Sequence, residues 1–169
     1  MIEPIVLFGI QFTFTVVVYS LIALWYAAPR LSRLSPELAL VPLLWVHAFR
    51  IVGGSILAPG AVGPGVPTGF REMIGYGDMA TALFALFALI ALRARWSLAI
   101  AAVWLCVIVG LLDTGNAIVQ SMRYSVFSEP LGVNWVIVTA YVPALLVSSF
   151  LILATLLGPV RSRARTRPA

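Results

Sequence analysis

A helix must run for about 20 residues to cross the ~30 Å hydrocarbon core of a bilayer. This sequence offers apolar runs of that length five times, at residues 5–28, 38–58, 73–92, 97–119 and 135–158. Short segments rich in Pro, Gly, Ser and Arg separate them. No other feature narrows the choice of fold so far, because a soluble chain of this size has too little interior to bury five such helices.

Composition agrees. Apolar residues make up 62% of the 169 positions and charged residues 10%, and the mean hydropathy is +1.04. Soluble domains carry roughly a quarter charged residues. The expected fold class is therefore an all-α membrane protein, a five-transmembrane-helix bundle. It forms a single domain over residues 1–160, followed by a basic tail at 161–169. The leader Met1-Ile2-Glu3-Pro4 carries an acid and no base, unlike a signal peptide, so the first run is expected to be a retained helix.

All eleven basic residues are Arg, and most sit beside apolar runs. That is a topology pattern rather than a nucleic-acid footprint. Arg30, Arg33, Arg93, Arg95, Arg161, Arg163, Arg165 and Arg167 fall on one face, and Arg71 and Arg123 on the other. The positive-inside rule then places the N-terminus outside and the C-terminus in the cytoplasm. Short inner loops suggest a bacterial inner (cell) membrane, with the tail drawn to anionic head groups. Two outer connections stand apart. Residues 59–69 hold seven Gly or Pro, which excludes a helix or a strand ladder there. Residues 121–134 include Arg123, Phe127, Glu129 and Pro130.

Ionisable side chains in hydrocarbon are costly and tend to mark function. At about 1.5 Å per helical residue, Gln11, His47, Arg50, Asp78 and Asp113 fall about 12–24 Å from the inner ends of their helices. Five polar residues from four helices thus share one band, mostly in the outer half. His47, Arg50 and Gly54 are spaced i, i+3, i+7 and share a stripe; Asp113, Asn116 and Gln120 repeat that spacing. Gly77, Thr81 and Ala85 make a ridge of small residues beside Asp78 that suits close helix contact. Arg50 is expected to pair with one aspartate through its planar fork. The other is left to His47, to amide donors or to a proton, and two aspartates so divided titrate apart and suit proton transfer. The candidate ligand-binding or proton-relay residues are Gln11, His47, Arg50, Asp78, Asp113 and Asn116.

Other chemistry is poorly supplied. One Cys and one His make neither a disulfide nor a usual zinc site, and no metal or cofactor is expected. Cys106 lies in an apolar run, where a thiol packs as a small hydrophobe. There is no nucleophile-elbow motif. Trp96 and Trp135 stand at helix starts, where indoles anchor a helix at the membrane surface. In size and helix count the chain resembles the tryptophan-rich sensory (translocator) proteins, which bind tetrapyrroles and sterols. Their Trp- and Pro-rich loop pattern is missing, so no residue is carried over.

The polar band favours a non-enzymatic protein that binds or transports a small molecule or ion at a site opening outward. The alternatives are an intramembrane enzyme using His47 and an Asp on a lipid-soluble substrate, or an accessory subunit whose polar stripe meets partner helices. Expected partners are the lipid bilayer, a small-molecule or ion ligand, and other helices in a homo- or hetero-oligomer, with no nucleic acid.

Overall fold

A computed structural model describes residues 2–158, so the basic tail at 161–169 lies outside the described residues. Among those residues the structure is all-helical, without strands. Five helices are long and apolar enough to cross a membrane: α1 (Pro4–Leu31), α2 (Pro36–Leu57), α3 (Thr68–Arg93), α4 (Ala99–Arg123) and α5 (Val133–Leu157).

The sequence explains most of the ends. Proline opens α1 and α2, where its missing N–H is one the first turn leaves unpaired anyway. Ser35 caps α2 by accepting from the Leu38 amide at 3.4 Å. α3 begins five residues before the apolar run that announced it, because Pro67 sets the start and Arg71 and Glu72 occupy its first turns. Thr68 and Gly69, expected in the loop, are helical. α4 likewise outruns its apolar stretch and ends at Arg123. Both α3 and α4 stop on a residue with positive φ, Arg95 (56°) and Ser125 (50°). After α3 the Trp96 amide reaches back to the Ala91 carbonyl at 3.0 Å, closing a Schellman turn.

α2, α3, α4 and α5 pack as a closed ring, each against two neighbours, while α1 lies outside it on α5. None of the most apolar stretch of α1 is buried. The ring is layered along its length. Near the turns at 32–35 and 94–98, Leu40, Leu44, Ala88, Val103, Cys106 and Ile152 form a tight apolar core. Near the N-terminal end of the bundle, Ile56, Val66, Phe70, Val126, Phe127 and Leu131 form a second cluster beneath the two long loops. Those loops clasp each other: the Gly63 amide donates to the Pro130 carbonyl at 2.7 Å, and Asn134 Nδ2 to the Ala61 carbonyl at 3.3 Å. Between the two apolar layers lies the polar one.

Candidate functional site

The polar layer is organised by α2. It is α-helical to Ala48 and then a 3₁₀-helix from Phe49 to Leu57. With 3.0 residues per turn, side chains three apart eclipse one another, so Arg50, Gly53 and Ile56 share the buried face. This departs from the α-helical stripe expected for His47, Arg50 and Gly54. Gly53 is the residue pressed against α3, and a Cβ on Gly54 would meet only the Met79 side chain, at 3.3 Å.

Arg50 is 4% exposed and joins three elements. Its Nε donates to Asp78 Oδ1, its Nη2 to Asp113 Oδ2 at 2.5 Å, and its Nη1 to the Gly110 carbonyl at 3.0 Å. Sequence reasoning allotted it one aspartate; the guanidinium fork in fact spans both, because α3 presents Asp78 to Nε and α4 presents Asp113 to Nη2. Each carboxylate places its second oxygen against a glycine. Asp78 Oδ2 occupies the place a Cβ on Gly53 would take, and Asp113 Oδ1 the corresponding place at Gly77. Without those two glycines neither aspartate could reach. The ridge of Gly77, Thr81 and Ala85 does let α4 close in, and a Cβ on Gly110 would come within 3.1 Å of the Thr81 methyl.

His47 turns away from both aspartates and packs on α5, fully buried. Its Nε2 lies 3.0 Å from Ser148 Oγ and 3.4 Å from Ser149 Oγ. Both hydroxyls donate to the Leu145 carbonyl, at 3.0 and 2.8 Å. The ring proton therefore belongs on Nε2, as the donor, and Nδ1 is left as a buried acceptor without a partner.

Two of the six candidates stand apart. Gln11 accepts from Trp135 Nε1 at 2.7 Å, a bond that ties α1 to α5. Asn116 is exposed and lies 3.0 Å from Met73 Sδ. Trp135 thus serves as a tether, and it also meets Phe8 and Phe127 edge-on.

Above Arg50 lies a cavity of about 100 Å³. Arg50, Gly53 and Asp78 line it together with Phe8, Phe12, Phe70, Phe127 and other apolar side chains. Thr114, Ser121 and Asn134 add hydroxyl and amide groups. Asp113 and His47 do not line it. α1 and α4 both contribute walls yet scarcely touch each other. Ile118 and Met122, 37% and 61% exposed, stand at that gap, near the end of α4. The exposed part of the cavity wall therefore lies at this end of α4, beside the long loops. Sequence reasoning missed Gly53, Thr114, Asn134, Ser148, Ser149 and Tyr141, whose hydroxyl donates to the Val46 carbonyl. In an apolar run these read as ordinary packing residues, and only the partner helix gives them a role.

No metal-binding group of three or more His, Cys, Asp or Glu side chains occurs among the described residues. No curated protein and no solved structure matches the chain. Residues 7–157 match a family described as a domain of unknown function (DUF8737), and since that covers most of its length, the chain belongs to this family.

Proposed function

We propose that this is a multi-pass protein of the inner (cell) membrane, with its N-terminus outside and its C-terminus in the cytoplasm, that binds a small molecule or ion at a polar site opening on the outer side. One observation carries the reading: a buried Arg50 tied to two aspartates forms the floor of a cavity rather than the middle of a packed core. Intramembrane ions that face a cavity are functional more often than structural. The exposed apolar side chains of all five helices have their natural cover in lipid. Below the polar layer the ring is filled by buried Leu, Ala and Val, which favours binding over a through-going path in this conformation. The His47–Ser148 pair lies outside the cavity, so an acid–base enzyme is the weaker reading.

Access tests the proposal without disturbing the charges. In a Cys106→Ala background, Ser121→Cys places a thiol in the cavity wall, and Leu83→Cys places one on the exposed apolar face of α3. A charged, impermeant thiol reagent added outside the cell should modify position 121 and spare position 83, because the reagent needs a hydrated thiolate. Protection of both in folded protein would mean a dry structural knot, and the proposal would fall.

A further inference from the structure

The charges of the polar layer beneath the cavity do not balance, and the imbalance has a sign. Arg50 supplies one positive charge to two carboxylates. His47, whose Nε2 faces Ser148 on α5, does not line the cavity and supplies no counter-charge there. Of the three ions, Arg50 and Asp78 line the cavity, and no other charged side chain among the described residues does. With both aspartates ionised the layer carries one net negative charge, in surroundings where uncompensated charge is most costly. An anionic ligand is disfavoured, since every nitrogen of Arg50 already donates and both its neighbours are carboxylates.

A proton could restore neutrality, but a proton needs no cavity. The walls have a different use. Phe8, Phe12, Phe70 and Phe127 all line the space, with Phe8 stacked on Phe127 at 3.9 Å between ring centroids. Aromatic faces attract cations, most strongly where water is excluded. A hard metal ion would want about six oxygen ligands, and the cavity offers one carboxylate and scattered neutral groups. Size sets the rest. An apolar cavity of roughly 150 Å³ accepts benzene, so about 100 Å³ suits a body no larger than a single ring.

From this we propose, resting on the reading of an outward-opening binding site, that the cavity takes a small organic monocation. Its ammonium faces Asp78 and its apolar body lies among the phenylalanines. Asp78 Oδ1 is held by Arg50. Oδ2 receives no hydrogen bond among the described residues and is the oxygen that meets the ligand. The gap between α1 and α4, beside Ile118 and Met122, is the way in.

Three probes share one branched body and differ only in head group: 3-methylbutylammonium, 3-methylbutan-1-ol and 3-methylbutanoate. Each is titrated at neutral pH into the full-length protein in detergent, reading the melting temperature and the heat of binding. The ammonium should bind saturably and raise the melting temperature. The alcohol should bind at least tenfold more weakly, and the carboxylate not at all. Asp78→Asn should weaken the ammonium at least tenfold. If that variant does not fold, Ser121→Phe fills the cavity, leaves the ion triad in place, and should abolish binding. Equal binding of alcohol and ammonium, preference for the carboxylate, or no ammonium binding to folded wild-type protein would each overturn the assignment. External labelling of Ser121→Cys separates the two claims. Labelling without cation preference removes only this inference, whereas absence of labelling removes the site as well.

Discussion

Arg50 is held in place as much by glycines as by charges. Buried ion pairs lose hydration that their attraction barely repays, so the triad is weak grounds for stability in itself. Geometry makes it definite: both carboxylates reach the guanidinium because Gly53 and Gly77 leave room for their outer oxygens. Substitution at two adjacent glycines should therefore differ sharply. Gly53→Ala drives a methyl into the Asp78 carboxylate, displaces it from Arg50, and should cost about 1–3 kcal/mol as an overpacked buried site. Gly54→Ala meets only the movable end of Met79 and should cost well under about 1 kcal/mol. Denaturant or thermal unfolding in the same detergent measures both. Equal costs would mean that the 3₁₀ register of α2 is not what places Arg50.

At the scale of the helix, irregular turns do the positioning, and prolines account for two of them. The π-helical turns at Ala23–Ala27 and Ile137–Tyr141 each lie just before a proline, Pro29 and Pro143. A proline ring clashes with the carbonyl four residues back and removes a helical hydrogen bond, so the preceding turn widens. In α5 that widened turn carries Tyr141, whose hydroxyl donates to the Val46 carbonyl near the point where α2 changes from α to 3₁₀. Two irregular segments thus brace each other across the ring. Tyr141→Phe keeps the ring and removes the donor. It should lower stability by about 1 kcal/mol, a typical net hydrogen bond, through a carbonyl left without that donor. It should also weaken binding of 3-methylbutylammonium, because the turn that loses its brace leads directly into Arg50. Unchanged stability and unchanged binding would confine Tyr141 to filling space.

For the whole molecule the division is between a ring of four helices and a first helix outside it. α1 is held by the Trp135–Gln11 bond and by the Phe8–Phe127 stack, both near the cavity, and it supplies one side of the opening. Orientation decides whether that opening faces out. A reporter active only in the cytoplasm should work when fused after Ala169 and be silent when inserted at Gly63. The opposite result would turn the bundle over and place the cavity on the cytoplasmic side. It would also void the arginine count across the short loops.

Five helices were legible in the chain, because hydropathy over about 20 residues is a local property that needs no partner. Their ends were less so: α3 and α4 extend past their apolar runs, since terminal turns tolerate Arg71, Glu72 and Arg123 at the surface. The coming together of Arg50, Asp78 and Asp113 could be anticipated from shared depth, which follows from helix rise alone. Which of them pair could not, because an angular position on a helix is readable only if the helix keeps 3.6 residues per turn. α2 abandons that spacing at Phe49, and so moves Gly53 rather than Gly54 against α3. Gln11 shares the band and Asn116 the stripe of Asp113, yet both bond elsewhere, since neither depth nor spacing on one helix says which neighbour a side chain meets. Sending His47 to Ser148, fitting Gly53 beneath Asp78 and leaving a cavity above Arg50 are all decisions of packing. They depend on which helix lies beside which, and a single sequence carries no local signal for that.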